Sequence, residues 1–190
     1  AITDEDKMRG NLYVTERLRA EAEKSFADRE AFLKSLGTDL RFFEDNSSAL
    51  PRLAQLTEKT NQFTVHKRPM SAAEIASYME SDTHHIFHAQ AIDQFGDQGI
   101  IAFALVAKGN GAGHIPSLLM SCRILGRGIE EAFIGEIARR AREKGAGSLS
   151  VAFEPSEKNE PARAFVERLF GDARNVAADI MQPPKWITIV

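Results

Sequence analysis

The sequence predicts an α/β (α+β) fold, with a mixed, mostly antiparallel central sheet flanked by helices and a helical segment at the N-terminus. Three observations support this class. Apolar residues at helical spacing open the chain, three strand-like stretches follow one another, and one strand then runs through a glycine-rich turn into a long amphipathic helix. The 190 residues, 43% of them hydrophobic, suffice for one globular core.

Composition excludes several classes of function. The formal net charge of -3 gives no general attraction to nucleic acid or to an anionic membrane surface. No apolar run reaches the length of a membrane span, and the single cysteine rules out an intrachain disulfide. We therefore expect a cytoplasmic protein with no nucleic-acid and no membrane partner.

The first half of the chain is predicted to be mainly helical. Residues 3–37 give two helices with a thin apolar stripe, which is typical of a connector that lies against a neighbouring domain. A short strand is expected at 40–43 and a helix at 48–60. Ser71 and Glu74 form a predicted capping box at the start of the next helix, 71–79.

Strands dominate the middle of the sequence, at 83–92, 99–107 and 115–123. The second of them is apolar without alternation, so we expect helices on both of its faces. The remaining elements are a helix at 127–144, a strand at 148–153, a helix at 159–169 and a closing strand at 185–190.

The turn after the third strand is the strongest local signal. Gly126 and Gly128 allow close approach of a ligand to the backbone, and the helix that begins near Arg127 presents unpaired N–H groups and a positive dipole end. We therefore predict a phosphate site that also includes Arg123. The alternative is an ordinary tight connection between strand and helix.

The Arg-x-x-Gly-x-Gly spacing of this turn resembles motif A of the GNAT acyltransferases, which holds the pyrophosphate of coenzyme A while the pantetheine arm follows the preceding strand. Residues 120–130, together with 59–63, 93–97 and 155–159, are similar to the FkbH family. Proteins of that family resemble a haloacid-dehalogenase (HAD)-type phosphatase domain followed by a GNAT-like domain. They make glyceryl-acyl carrier protein for methoxymalonyl and related polyketide extender units.

The resemblance, which runs from about Tyr13 to Val190, implies a GNAT-like acyltransferase fold in residues 39–190. Residues 1–38 would be a helical connector from a phosphatase-like domain of the same parent chain, because no phosphatase aspartate pair occurs here. The implied function is to load a glyceryl or similar hydroxyacyl group onto the phosphopantetheine thiol of an acyl carrier protein. The implied cofactor is carrier-bound phosphopantetheine or coenzyme A, with no metal.

Cys122 and Asp93 are the candidate catalytic residues. Cys122 lies beside the glycine turn, and a cysteine next to an arginine and a helix N-terminus can act as a nucleophile that relays an acyl group. Its alternative role is an inert core thiol. Asp93 could act as general base for an attacking thiol, or it could belong, like Asp97, to a hairpin turn.

Two further groups are candidate binding residues. Asn159 resembles the asparagine of GNAT motif B that bonds the pantetheine region, although it could simply cap a helix. Thr60, Asn61 and Gln62 offer hydrogen bonds to the hydroxyls of a small acyl group, although helix termination explains them too.

Two other functions compete with carrier loading. One is a coenzyme A-dependent N-acetyltransferase. Val166 disfavours it, because many GNAT enzymes have at that position a tyrosine that acts as general acid toward the departing thiolate. The other is a noncatalytic docking module for the carrier. Arginines at 127, 139, 140 and 163 could receive an acidic carrier. The histidines at 84, 85 and 88 lack the spacing of a metal site.

Overall fold

A computed structural model of the protein describes residues 4–179 and 182–190. Helices α1 to α6 span Asp4–Glu23, Arg29–Leu36, Leu50–Lys59, Ala72–Met79, Ile129–Glu143 and Glu160–Phe170. Strands β1 to β7 span Thr38–Glu44, His84–Asp93, Gly96–Lys108, Ala112–Met120, Ser148–Val151, Asn175–Ala177 and Ile187–Ile189. A short 3₁₀ turn, Cys122–Ile124, follows β4.

The strands form one mixed sheet in the order β6-β5-β4-β3-β2-β1-β7. Strands β1 to β4 pair antiparallel in sequence order, and β5 pairs antiparallel with β6. The pairs β4–β5 and β1–β7 are parallel. This architecture confirms the predicted fold class.

Strand β3 is covered on both faces, as its unbroken apolar run predicts. Ile101 and Ala104 pack into the larger core, to which α5 and α6 contribute Phe133 and Phe165. Phe103 and Leu105 pack into a second cluster against α3 and α4, with Leu53 and Ile75 among its members. Burial on two sides makes β3 the structural centre of the sheet.

Two local predictions need correction. Ser71 caps α4 by accepting a hydrogen bond from the backbone N–H of Glu74 at 3.1 Å. The Glu74 carboxylate bonds Arg68 instead of returning to Ser71, so only half of the capping box forms. Helix α5 begins at Ile129 and not near Arg127, because Gly128 takes a left-handed φ of 82° as the residue before the helix.

Helices α1 and α2 pack on the rest of the chain. Phe32 and Leu36 of α2 form a small apolar cluster that Phe95 and Trp186 join. Arg19 of α1 makes a buried ion pair with Asp93 at the end of β2. A division of the chain at residues 38 and 39 stays a prediction.

None of the helices in the described ranges combines the length and the apolar composition that crossing a membrane requires.

Candidate functional site

A cavity of about 840 Å³ opens beside the end of β4. It brings together the candidate nucleophile Cys122, its neighbour Arg123 and the three predicted substrate-binding residues, Thr60, Asn61 and Gln62. The other lining residues are Arg52, Leu56, Lys59, Phe63, Ile100, Met120, Ser121, Glu157 and Lys158. Its volume lies in the range of cavities that hold small organic ligands.

Cys122 is exposed to solvent at the wall of this cavity. It is the first residue of the 3₁₀ turn, and Ser121 caps that turn by accepting a hydrogen bond from the N–H of Arg123. Cys122 is therefore not a core residue, which the alternative role required. An exposed thiol in a concave site is able to meet an electrophile.

The cavity carries an excess of positive charge. Arg52, Lys59, Arg123 and Lys158 line it, whereas Glu157 is the single carboxylate among its described lining residues. Burial lowers the pKa of Arg123, but an arginine side chain stays protonated in a protein. On a chain whose net charge is -3, this concentration of cations favours an anionic ligand.

The residues Thr60 to Gln62 follow the end of α3, whose last carbonyls are bound by another side chain. Lys67 donates from Nζ to the carbonyls of Thr57 at 3.1 Å and Thr60 at 2.8 Å. Asn61 donates to the carbonyl of Lys59 at 3.2 Å. Termination of α3 thus explains in part why Asn61 stands here, while Lys67 is the main capping group of that helix.

The glycine turn uses its polar groups within the chain. The N–H of Gly126 donates to Glu130 Oε1 at 2.7 Å, and its carbonyl accepts from Arg29 Nη2 at 2.8 Å. We expected the N–H of Gly126 to bind phosphate, but the carboxylate of Glu130 accepts its hydrogen bond instead.

Gly128 is required for packing. A Cβ added there would lie 2.9 Å from Pro184 Cγ and 3.1 Å from the Trp186 ring. The Trp186 Nε1 also donates to the carbonyl of Arg127 at 2.9 Å. Close approach of the C-terminal segment accounts for this glycine without any ligand.

Arg127 points into the protein and is only 7% exposed. Its Nη2 donates to Gln98 Oε1 at 2.6 Å and to the carbonyl of Arg123 at 2.9 Å. Its Nη1 lies 3.5 Å from Asp93 Oδ2. The predicted contact of Arg127 with a phosphate is therefore replaced by an internal network.

Asp93 belongs to the same network and lies outside the cavity. Its side chain is 0% exposed. Both carboxylate oxygens accept from Arg19, at 2.7 and 2.8 Å, and one also accepts from the N–H of Phe95 at 2.9 Å. The predicted general-base role of Asp93 is wrong, because a buried carboxylate that is bonded in this way cannot reach an incoming thiol.

The groove along β4, predicted to guide a pantetheine arm, is filled by residues 63–65. Strands β4 and β5 pair only from Ala112 to Ile115 on the β4 side. Beyond that point the carbonyl of Phe63 accepts from Met120 N, and the N–H of Val65 donates to Leu118 O, each at 3.0 Å. Phe63 is 1% exposed and Val65 0%, so this segment is part of the core.

Asn159 fastens that segment to the loop after β5. Its buried Nδ2 donates to the carbonyls of Thr64 at 3.0 Å and Glu154 at 2.9 Å. Its Oδ1 accepts from the N–H of Ser156 at 2.7 Å. The side chain does not cap α6, so the structure replaces both the pantetheine contact and the helix cap with a structural tie.

The other charged residues considered from the sequence are paired. Arg139 and Arg140 both donate to Glu136, and Arg163 donates to Glu160. These arginines therefore do not form an uncompensated basic surface for a carrier.

The histidines have structural contacts. His85 lies with Glu44 and Asp45 at distances that a metal ion could bridge, but Glu44 is bonded to Arg140 at 2.9 Å. His88 is buried and stacks on Phe43, and burial lowers its pKa to about 4.

Comparison with solved structures identifies the fold. The ribosomal-protein-S18-alanine N-acetyltransferase of Escherichia coli matches with a TM-score of 0.50 and 17% identity, over 68% of this chain and 76% of that one. The ribosomal-protein-alanine N-acetyltransferase of Brucella melitensis biovar Abortus 2308 gives 0.52 and 14%, over 70% and 90%. AAC(6')-Iy, in complex with the bisubstrate analogue CoA-S-monomethyl-acetylneamine, gives 0.51 and 16%, over 68% and 88%.

No protein-family model matches the chain, and no curated protein sequence matches it. At these identities the structural similarity concerns the fold. The chain therefore has the fold of the GNAT acetyltransferases, as its sequence predicted.

Proposed function

We propose that this protein is an acyltransferase in which the thiol of Cys122 takes up an acyl group inside the cavity and passes it to a second thiol. The observation that carries the proposal is the solvent-exposed Cys122 in a concave site with several cations and hydrogen-bonding side chains. A cysteine nucleophile divides one transfer into two easier steps.

In the first step the Cys122 thiol gives up its proton to solvent, its sulfur attacks the carbonyl carbon of an activated acyl donor, and the leaving group departs with the bonding electrons. Arg123 follows Cys122 in the chain and lines the same cavity, so it can neutralise the charge that develops on the carbonyl oxygen. In the second step the acceptor thiol gives up its proton to solvent and attacks the new thioester. Cys122 then leaves as its thiolate.

The acyl group that we propose is glyceryl or a similar hydroxyacyl group. Thr60, Asn61 and Gln62 line the cavity wall and carry both donors and acceptors for hydroxyl groups. The surplus of cations suits an acyl phosphate as the donor, with phosphate as the leaving group.

The acceptor in this proposal is the phosphopantetheine thiol of an acyl carrier protein, in methoxymalonyl-type extender-unit synthesis. The resemblance to the FkbH family supports this choice, and it also implies a phosphatase-like domain in the same parent chain. The arm would enter through the cavity mouth, because residues 63–65 occupy the edge of β4.

A coenzyme A-dependent N-acetyltransferase is the second candidate, and the fold of the neighbouring structures favours it. Three features of the site disfavour it: the filled β4 groove, the carboxylate of Glu130 on the glycine turn, and the buried Val166. A noncatalytic docking module is the third candidate, and it would bind a carrier whether or not Cys122 is present.

The transfer can be tested in its reverse direction with a small thioester. The chain is incubated with glyceryl-N-acetylcysteamine, a truncated mimic of glyceryl phosphopantetheine, and its intact mass is measured. We expect one glyceryl adduct on the wild type, its removal by added pantetheine, and no thioester on Cys122→Ala.

Cys122→Ser is the matched control, because it keeps the shape of the side chain. A serine ester, if it forms, should resist the added pantetheine. An adduct of equal yield on Cys122→Ala would contradict the proposal. Equally, a wild-type chain that forms no adduct but acetylates amines with acetyl-coenzyme A would favour the second candidate.

A further inference from the structure

The turn that carries Cys122 is held from its buried side by Arg127. The Nη2 of Arg127 donates to the carbonyl of Arg123 at 2.9 Å and to Gln98 Oε1 at 2.6 Å. Arg123 is covalently bound to Cys122, so fixing this carbonyl restricts the orientation of the 3₁₀ turn. The backbone from which the Cys122 side chain extends is thereby held at one point of the cavity wall.

The other edge of the Arg127 guanidinium faces Asp93, with Nη1 3.5 Å from Asp93 Oδ2. Asp93 in turn accepts two hydrogen bonds from Arg19 of α1. A continuous set of polar contacts therefore joins α1 to the carbonyl of Arg123. Glu16, also in α1, accepts from Arg19 at 2.8 Å and lies 3.7 Å from Arg127.

Burying these ions requires compensation, because the desolvation of a charge costs several kcal/mol. Two carboxylates, Asp93 and Glu16, lie among the guanidinium groups of Arg19 and Arg127. Arg123 also interacts with Glu16, and Nη1 of Arg127 makes an ion pair with Asp93 but no hydrogen bond. A lysine could not replace Arg127, since one ammonium group cannot span Asp93 and the Arg123 carbonyl as a planar guanidinium does.

We infer that Arg127 is a positioning residue for Cys122, and that α1 acts on the cavity through Arg19 and Asp93. The consequence for acyl transfer rests on the proposed function. The geometric part can be measured without any acyl transfer.

The test uses the fact that the chain has one cysteine. Cys122 is labelled with 3-bromo-1,1,1-trifluoroacetone, and its ¹⁹F spectrum is recorded for the wild type, Arg127→Met, Arg127→Lys and Arg19→Met. Glyceryl loading and urea unfolding are measured on the unlabelled proteins. Arg140→Met is the matched control, because Arg140 is also held by two carboxylates, Glu136 and Glu44, but is not a cavity residue.

We expect one narrow ¹⁹F line for the wild type and for Arg140→Met, and broad or multiple lines for Arg127→Met. A displaced nucleophile should reduce the rate of loading at saturating donor by about 10- to 100-fold. Arg127→Lys keeps a positive charge beside Asp93, but it should still show most of the line broadening and most of the loss of loading rate seen in Arg127→Met. Arg19→Met should change both readouts in the same direction and by less.

A wild-type line and loading rate in Arg127→Met, with only lowered stability, would overturn the inference. If Arg127→Met does not fold, Arg127→Lys decides in the same way. Wild-type behaviour of Arg19→Met would overturn the part assigned to α1. If the wild-type chain accepts no glyceryl group while the ¹⁹F lines change as expected, the proposed function fails and the positioning role stands.

Discussion

The glycine turn and the cavity beside it are neighbours in the sequence but use their polar groups in opposite ways. At the turn, the N–H of Gly126 is bonded to Glu130 and its carbonyl to Arg29. At the cavity, Cys122 is exposed and cations outnumber carboxylates among the described lining residues. A motif that indicates an anion site in the sequence can thus serve to hold the fold together. The solvent-accessible reactive side chain, Cys122, lies next to it.

The same contrast holds for the two sides of β4. Its edge toward β5 is closed by residues 63–65, with both backbone hydrogen bonds made inside the chain. Its end, at Met120, borders the open cavity. A ligand can approach the cavity at the end of β4 without displacing any part of the core. To reach the edge of β4, it would have to displace residues 63–65.

Gly128→Ala should give the largest loss of stability. The new Cβ would strain a φ of +82° and meet Pro184 and Trp186 at 3.1 Å or less, so we expect a loss of about 2–4 kcal/mol in urea unfolding. Gly145→Ala is the control, because its φ is +91° but nothing lies within 4 Å of its added Cβ. A Gly128→Ala protein as stable as Gly145→Ala would mean that this glycine is kept for a ligand.

Asn159→Ala should remove about 1–3 kcal/mol of stability, since it leaves the buried carbonyl of Thr64 without the amide that it accepts from. Asn61→Ala, by contrast, changes an exposed residue of the cavity wall. It should leave urea unfolding unchanged and slow glyceryl loading. The reverse result, with Asn159→Ala stable but poorly loaded, would restore a ligand contact for Asn159.

Removing positive charge from the cavity should weaken donor binding without affecting the fold. For Arg52→Gln and Lys158→Gln we expect the donor concentration at half-maximal loading by a glyceryl phosphate to rise roughly 2- to 5-fold, the scale of an exposed charge interaction. The effect should shrink as salt is added. Arg163→Gln, which removes a cation paired with Glu160 away from the cavity, is the control. Equal effects in all three variants would show that the cavity charge is irrelevant.

Glu130→Gln should have the smallest effect and should depend on pH. Burial raises the pKa of the Glu130 carboxyl above 4.5. Its contribution to stability is therefore fully present below pH 4.5 and is lost as the pH rises through the folded-state pKa.

Because glutamine does not titrate, the stability of Glu130→Gln relative to the wild type should increase from pH 4 to pH 7, by on the order of 1 kcal/mol or less. Urea unfolding at the two pH values measures this change. A relative stability that falls with pH would indicate that the carboxylate is the favoured form at the turn.

Periodicity predicts the elements that are long and buried. The apolar run of β3 and the amphipathic pattern of α5 give correct types and approximate bounds. Strand β6, Asn175–Ala177, escaped prediction because three residues with no buried member carry no alternating pattern.

The cavity wall was predictable where the residues themselves are chemically distinctive, as with Cys122 and the polar run from Thr60 to Gln62. It was not predictable where distant residues decide. Arg19 and Asp93 are 74 positions apart, so no local pattern shows that they pair. Residues 63–65, Phe-Thr-Val, are of types that favour strands, but only tertiary contacts show that they close the β4 groove.

The most direct test is a crystal structure of the chain after treatment with glyceryl-N-acetylcysteamine. The account predicts electron density for a glyceryl group on the sulfur of Cys122, with residues 63–65 still hydrogen-bonded to Leu118 and Met120. Density for a pantetheine-like group between β4 and β5, with residues 63–65 displaced and Cys122 unmodified, would contradict it.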